Sequence, residues 1–172
     1  APLRSRFSGG TFRLVYYSEE EVAEVLARSA KILGIEAEPT AVREIAKRSR
    51  ATPRTANYLL KRARDFAQVQ GGSIDEKTVK QALALLEVDE LGLTNTDRDI
   101  LNVIIDTFKG GPVGLNTIAA ALSEEAATVE EVHEPYLMQI GLLERTPRGR
   151  AATKKAYEHL GYDHPKESGG FL

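Results

Sequence analysis

The chain has 172 residues, enough for one large or two small domains, and its composition, 42% hydrophobic and 28% charged, is that of a folded globular protein. It contains no cysteine, which excludes a disulfide framework and a thiolate zinc site, and His133, His159 and His164 lack a metal-ligand spacing. The net charge of −2 argues against a protein coated in nucleic acid. Residues 1–90 hold 15 basic and 13 acidic side chains and residues 91–172 hold 8 and 12, so any contact with a polyanion must be small and focused.

No apolar run approaches the roughly 18 residues of a membrane span, and the N-terminus has no signal-peptide pattern, so the expectation is a cytoplasmic protein without a membrane partner. Ala1 to Phe7 begins without an initiator Met, as a piece of a longer protein would. Ser8-Gly9-Gly10 reads as a flexible break and Phe12 to Tyr17 as a short strand or extended segment. Ser18 with Glu21 three residues on is a capping box. It opens a helix to about Leu33 with Val22, Val25, Leu26, Ser29 and Ile32 on one face, and Gly34 stops it.

A second helix runs from Pro39 or Thr40 to about Arg48. Thr52 then caps a third, with Pro53 at its first position and Leu59, Leu60, Ala63 and Phe66 inside. Arg54 falls in the first turn, at the positive end of the helix dipole, where cations are disfavoured. Two readings stay open: a solvated surface arginine, or one that shares an anion with the backbone N–H groups of that helix end. Gly71-Gly72-Ser73 is a turn and Asp75 to Leu86 a fourth helix, which makes a small helical domain of about 70 residues.

Glu90 to Leu93 forms a short, partly apolar join, so the two domains are expected to touch. Thr94 to Asp97 caps a helix whose core face is Ile100, Leu101, Ile104, Ile105 and Phe108. Gly110 to Gly114 is a turn and short strand, and Asn116 caps a compact helix over Thr117 to Leu122. Thr128 with Glu131 reads as another capping box, starting a helix with Val129, Val132, Tyr136, Leu137 and Ile140 on its apolar face and Gly141 at its end. Leu142 to Thr146 and Arg150 to Ala152 read as a hairpin around Pro147-Arg148-Gly149, and Thr153 to Leu160 as a last helix. A helix followed by a hairpin is the second half of a winged helix.

Arg145, Arg148, Arg150, Lys154 and Lys155 fall within eleven residues that include no Asp or Glu. A turn tip cannot bury such side chains, so their natural use is on a polyanion. The preceding helix is expected to expose Glu130, Glu131 and Glu134, with Glu124 and Glu125 upstream, and these carboxylates would keep it out of a DNA groove. The wing should therefore make the contact. Phosphate contacts carry no sequence information. With two to four phosphates neutralised, binding should be weak and salt-sensitive, with a slope of about −2 to −4. His133 is either a structural histidine or a phosphate donor, and Tyr136, Leu137 and Met138 are core or domain-contact candidates.

No G-x-x-x-x-G-K-[ST] phosphate loop, G-x-S-x-G elbow or cysteine nucleophile occurs, and the adjacent pairs Glu124-Glu125 and Glu130-Glu131 read as solvated surface rather than acid/base pairs. Taken together, APLRSRF, KRSRATPRTANYLLKRARDFA, VDELGL, GGPVGL, EPYLMQIGLLERTPRGRAAT and AYEHLG resemble RuvB, the motor subunit family of the bacterial Holliday-junction branch-migration complex, over nearly the whole chain. The resemblance implies a mainly α fold, a small helical AAA+ lid domain followed by a winged-helix DNA-binding domain. It sets residues 1–17 as the tail of the large ATPase domain, 18–89 as the lid, 90–165 as the winged helix and 166–172 as a frayed tail.

It further implies that Arg6 is an arginine finger reaching a neighbouring subunit's γ-phosphate. Arg54 matches the sensor 2 arginine of the lid, Tyr17 and Pro53 lie where the lid approaches adenine, and Arg145, Arg148 and Arg150 belong to the wing that touches the DNA backbone. ATP or ADP is the implied cofactor, with Mg2+ held by the ATPase domain. The implied partners are the duplex arms of a Holliday junction, other RuvB subunits in a homohexamer, and RuvA through the N-terminal domain. Without a phosphate loop this chain alone is expected to be inactive.

The sequence departs from the family's Gly-Thr-Pro-Arg at Ala51, a mild change if the backbone angle there is negative, and from its continuous strand at Ser8-Gly9-Gly10. The alternatives are a stand-alone winged-helix regulator with a helical dimerisation domain, or a protein-interaction module. Both account for the wing but not for Arg6 and ATPRTAN.

Overall fold

The computed structural model describes Phe12 and residues 15–163. It divides into two compact units, one reaching Leu86 and one starting at Glu87. Arg6, the Ser8-Gly9-Gly10 break and the 166–172 tail lie outside the described residues. Phe12, Val15, Tyr16 and Tyr17 are exposed and belong to no strand.

The first unit is four helices, α1 (Glu19–Ile32), α2 (Pro39–Lys47), α3 (Pro53–Gln70) and α4 (Glu76–Leu85). Ser18 forms the expected capping box: its hydroxyl accepts from the Glu21 N–H, and the Glu21 carboxylate accepts from the Ser18 N–H. Gly34, at φ +62°, ends α1, and the Ile35 N–H returns to the Ala30 carbonyl. The buried face of α1 is Val22, Leu26 and Ala30, so the expected inclusion of Ile32 is corrected: it is exposed at the last turn.

Pro53 does open α3 behind Thr52, yet the Thr52 hydroxyl bonds the Ser49 carbonyl and the Thr55 hydroxyl instead of capping the helix. Asp75 caps α4 by accepting from the Thr78 N–H. The four helices close over Leu26, Ile45, Leu59, Leu60 and Leu83, with alanines filling the crossings. One parallel bridge, Ala37 to Ile74, ties the two interhelix loops together.

The second unit begins with a loop built on Asp89, whose carboxylate accepts from the N–H groups of Leu91 and Leu93. Helix α5 (Asn95–Asn102) continues as a wider π segment, Val103–Thr107, and is followed by α6 (Leu115–Leu122). Gly114, not Asn116, is the residue that precedes α6, which starts two residues earlier than expected. Val113 reduces the expected short strand to a single antiparallel bridge with Arg150.

The helix before the wing differs most from expectation. It runs without a break as α7 (Ala126–Thr128), a π segment (Val129–His133) and α8 (Glu134–Gln139). Thr128 is helical and Glu125 precedes the helix, so the expected capping box does not form. Pro135 supplies the physical reason for the widening. In a regular α-helix its ring would collide with the carbonyl four residues back. Here the Glu134 N–H bonds five residues back to Val129, which opens the turn ahead of the proline.

That extra residue rotates everything after it. Val132 is exposed, whereas His133, Glu134 and Leu137 face inward. Gly141, at φ +74°, ends α8, and the hairpin β1 (Leu143–Thr146) and β2 (Gly149–Ala152) follows in the register Leu143 to Ala152 and Thr146 to Gly149. Thr153 caps α9 (Lys154–Leu160).

Candidate nucleic-acid interface

The wing is a two-residue hairpin, and glycine makes its placement possible. At Gly149, φ +141°, a Cβ would sit 2.3 Å from the Val113 carbonyl oxygen, and at Gly111 one would sit 2.5 Å from that of Arg150. Only glycine allows the 110–114 segment to lie this close against β2. Val113 and Arg150 then exchange both backbone hydrogen bonds, at 2.8 and 2.7 Å. The turn is held from within: the Thr146 hydroxyl donates to the Gly149 carbonyl at 2.9 Å and accepts from the Arg148 N–H at 3.2 Å. Arg148 is thereby set at the tip, exposed, with no side-chain partner among the described residues.

The other two wing arginines are occupied, which corrects the expectation that none of the three could be drawn inward. Arg145 and Arg150 are directly opposed across the hairpin. Like charges so placed repel. Glu134, 2% exposed, removes the conflict by receiving both. Arg150 donates from Nε to Glu134 Oε1 at 2.7 Å and from Nη2 to Oε2 at 3.1 Å, and Arg145 donates from Nη2 to Oε2 at 2.7 Å. Burial alone would push the Glu134 carboxyl up, but the hydrogen bonds and charges of Arg150 and Arg145 outweigh it and hold the group below the usual carboxylate value.

Glu134 is thus buried, which corrects the expectation, drawn from an unbroken helical period, that the helix exposes it. Glu124, Glu125, Glu130 and Glu131 are exposed, as expected. Of the remaining basic side chains, Lys154 faces Glu158 at 3.6 Å and Lys155 donates to the Ile140 carbonyl at 2.8 Å.

A second polar cluster combines the expected Thr94–Asp97 capping box with a contact to His133 that sequence reasoning missed. His133 Nδ1 is 2.7 Å from Asp97 Oδ1, and Asp97 Oδ2 accepts from the Thr94 N–H and hydroxyl at 2.7 and 2.6 Å. Asp97 is fully buried, so one carboxylate caps α5 and positions the helix before the wing. His133 takes the structural role of its two readings. The Tyr136 hydroxyl donates to the Leu91 carbonyl at 2.6 Å, Leu137 is buried, and Met138 is 40% exposed.

In the first unit Arg54 is exposed in the opening turn of α3, with no partner among the described residues, and the Thr52 side chain leaves the N–H groups of that turn uncapped. Pro53 is half-buried beside it, and Tyr17 is half exposed ahead of α1. Ala51 has φ +53°, so its departure from glycine is not mild: the residue sits in the left-handed region.

A four-helix unit of this kind joined to a winged helix is the arrangement of an AAA+ lid followed by a DNA-binding module. The comparisons make the assignment specific. Residues 17–89 match the RuvB AAA lid domain and residues 90–161 the RuvB C-terminal winged helix domain. Curated Holliday junction branch migration complex subunits RuvB from Chloroflexus aggregans and Dehalococcoides mccartyi are 54% and 58% identical over 169 and 161 residues, covering 98% and 93% of this chain. Those alignments take in 48% and 46% of the relatives, so the chain spans about half the length of the curated relatives it matches. The Thermotoga maritima RuvB Holliday junction branch migration motor superposes with a TM-score of 0.89 at 48% identity, over 96% of this chain and 55% of that one.

The chain belongs to the RuvB family, of which it carries the AAA lid and winged-helix domains. Among the described residues no helix is long and apolar enough to cross a membrane.

Proposed function

We propose that this chain is the lid and DNA-contacting part of an ATP-driven motor that moves the duplex arms of a Holliday junction during recombination and repair. The observation that carries the proposal is Arg148. A cation held at the tip of a two-residue turn, with no carboxylate to satisfy it among the described residues, is suited to touch a sugar-phosphate backbone and release it. Arg145 keeps about half its side chain exposed and can join that contact, whereas Arg150 serves chiefly to fix the wing on Glu134.

In the lid, Arg54 and the uncapped start of α3 fit a nucleotide phosphate. Tyr17 and Pro53 serve as adenine contacts of the lid, and Arg6 acts across the subunit boundary as an arginine finger. Mg2+ and the phosphate loop belong to the ATPase half of the full protein, and homohexamer assembly and RuvA binding are assigned to that whole protein. A bound nucleotide biases the lid through Arg54, and the bias is passed along the chain to the wing. Weak single contacts suit such a machine, because several subunits on one duplex hold by avidity while each wing steps.

The test joins this chain to the ATPase half of the Thermotoga maritima relative and follows migration of a synthetic four-way junction. The chimera should migrate it. Arg148→Ala should slow migration severalfold, and Arg54→Ala should lower ATP turnover. Full migration by both variants would sink the reading.

A further inference from the structure

The Nη2 atoms of Arg145 and Arg150 converge on a single oxygen, Glu130 Oε1, at 3.0 and 3.4 Å. The same two Nη2 atoms also donate to Glu134 Oε2, and Arg150 Nε donates to Glu134 Oε1, so the buried carboxylate orients both guanidinium groups. The two carboxylates differ in standing. Glu134 is 2% exposed and cannot leave without stranding Arg150, whose side chain is itself 14% exposed. The Glu130 side chain is 44% exposed and reaches the pair from solvent, as a weak surface partner does.

Beneath Glu130 there is thus a built anion site, two guanidinium groups aimed at one point by a buried carboxylate. Arg145, Arg150 and Glu134 together carry one net positive charge, which Glu130 cancels. We propose that Glu130 is a built-in competitor for phosphate: in the free protein its carboxylate closes the Arg145–Arg150 site, and a phosphodiester of duplex DNA takes its place when the wing docks. A phosphodiester brings the same single negative charge and the same kind of acceptor oxygen, so the exchange replaces one ion pair by another. Affinity is thereby kept low and release easy. The inference rests on the reading of the wing as a DNA contact.

The experiment measures binding of this 172-residue chain to an unrelated-sequence duplex across a salt series. Glu130→Gln should bind about 3- to 10-fold tighter at low salt, since the phosphodiester no longer has to displace a carboxylate to reach the two guanidinium groups. Glu131→Gln makes the same charge change one position along and has no contact with the wing arginines among the described residues. It should bind within about twofold of the parent. The gain from Glu130→Gln should vanish in an Arg145→Gln background, and unchanged melting temperatures check that each variant is folded.

A Glu130→Gln gain no larger than that of Glu131→Gln, or one that survives Arg145→Gln, overturns the inference while leaving the wing reading intact. Binding that is indifferent to both salt and Arg148→Ala overturns the reading itself and the inference with it.

Discussion

The two units of this chain solve the same packing problem with different interiors. In the lid unit the one buried polar side chain among the described residues is Ser49, whose hydroxyl donates to the Ala46 carbonyl one turn back. The winged-helix unit buries Asp97, His133 and Glu134 among its leucines and isoleucines. An apolar interior needs only shape, whereas a polar one needs every partner in place. The first unit, whose little-exposed Arg48–Glu44 pair is local to one helix turn, is therefore the more tolerant body, and the second is a geometry held by ion pairs between elements, with its wing fixed on Glu134.

The widest break in that contrast is expected at Glu134. Glu134→Ala leaves the little-exposed Arg150 guanidinium beside Arg145 with only the exposed Glu130 carboxylate to pair it, and should destabilise the winged-helix unit by about 3–5 kcal/mol. Residue-resolved hydrogen exchange should show the loss in the second unit with protection in α1 to α4 unchanged. Acid should act in the same direction. Because the folded-state pKa of Glu134 is lowered, its contribution is fully present above the unfolded value of about 4.3 and is lost as pH falls through the folded value. The second unit should thus loosen first below about pH 4.3, and simultaneous melting of both units would erase the contrast.

Asp97 comes next. Asp97→Ala removes the acceptor for the Thr94 N–H and hydroxyl and orphans buried His133, an expected cost of about 2–3 kcal/mol by urea denaturation. Leu60→Ala in the lid should cost a similar 2–5 kcal/mol for a different reason, a cavity. The two are told apart by residue-resolved hydrogen exchange, since Asp97→Ala should lower protection in the second unit and Leu60→Ala in the first.

Much of the lid was legible in the sequence because its signals are local. Ser18 with Glu21, Pro53 behind Thr52, Asp75 and Gly34 each act within four residues of themselves, and the structure places them at helix ends as read. The wing's hairpin and Thr153 were legible for the same reason. What escaped was the rotation at Val129–His133, which put Val132 outside and Glu134 inside. Pro135 was the available signal, since a proline inside a helical period must be accommodated by distortion. The pairing of Glu134 with Arg145 and Arg150 spans 11 and 16 residues and depends on that rotation, so no spacing rule could deliver it.

Arg148 sharpens the comparison at smaller scale, because it should separate binding from stability. Exposed and without a partner among the described residues, it should change unfolding free energy by no more than about 0.5 kcal/mol when replaced by Ala. Duplex binding should weaken severalfold with the salt slope shallower by about one. A large loss of stability in Arg148→Ala would place it with Arg150 as a structural side chain.

The smallest expected effect lies in the tolerant unit and concerns its backbone. Ala51 is held at φ +53° between Arg50, at φ +57°, and Thr52, where the chain turns from α2 into α3. An L-residue there is strained by roughly 1–2 kcal/mol, of which the added chain entropy of glycine in the unfolded state cancels about half. Ala51→Gly should therefore stabilise the lid unit by about 0.5–1 kcal/mol and leave the winged-helix unit unchanged. The turn it relaxes also sets the start of α3 and with it Arg54, so nucleotide affinity of a chimera carrying Ala51→Gly is the informative second readout. If stability rises while affinity falls, the strain at Ala51 helps to hold Arg54 in place; if both rise, it is a local cost that the apolar core of the lid absorbs.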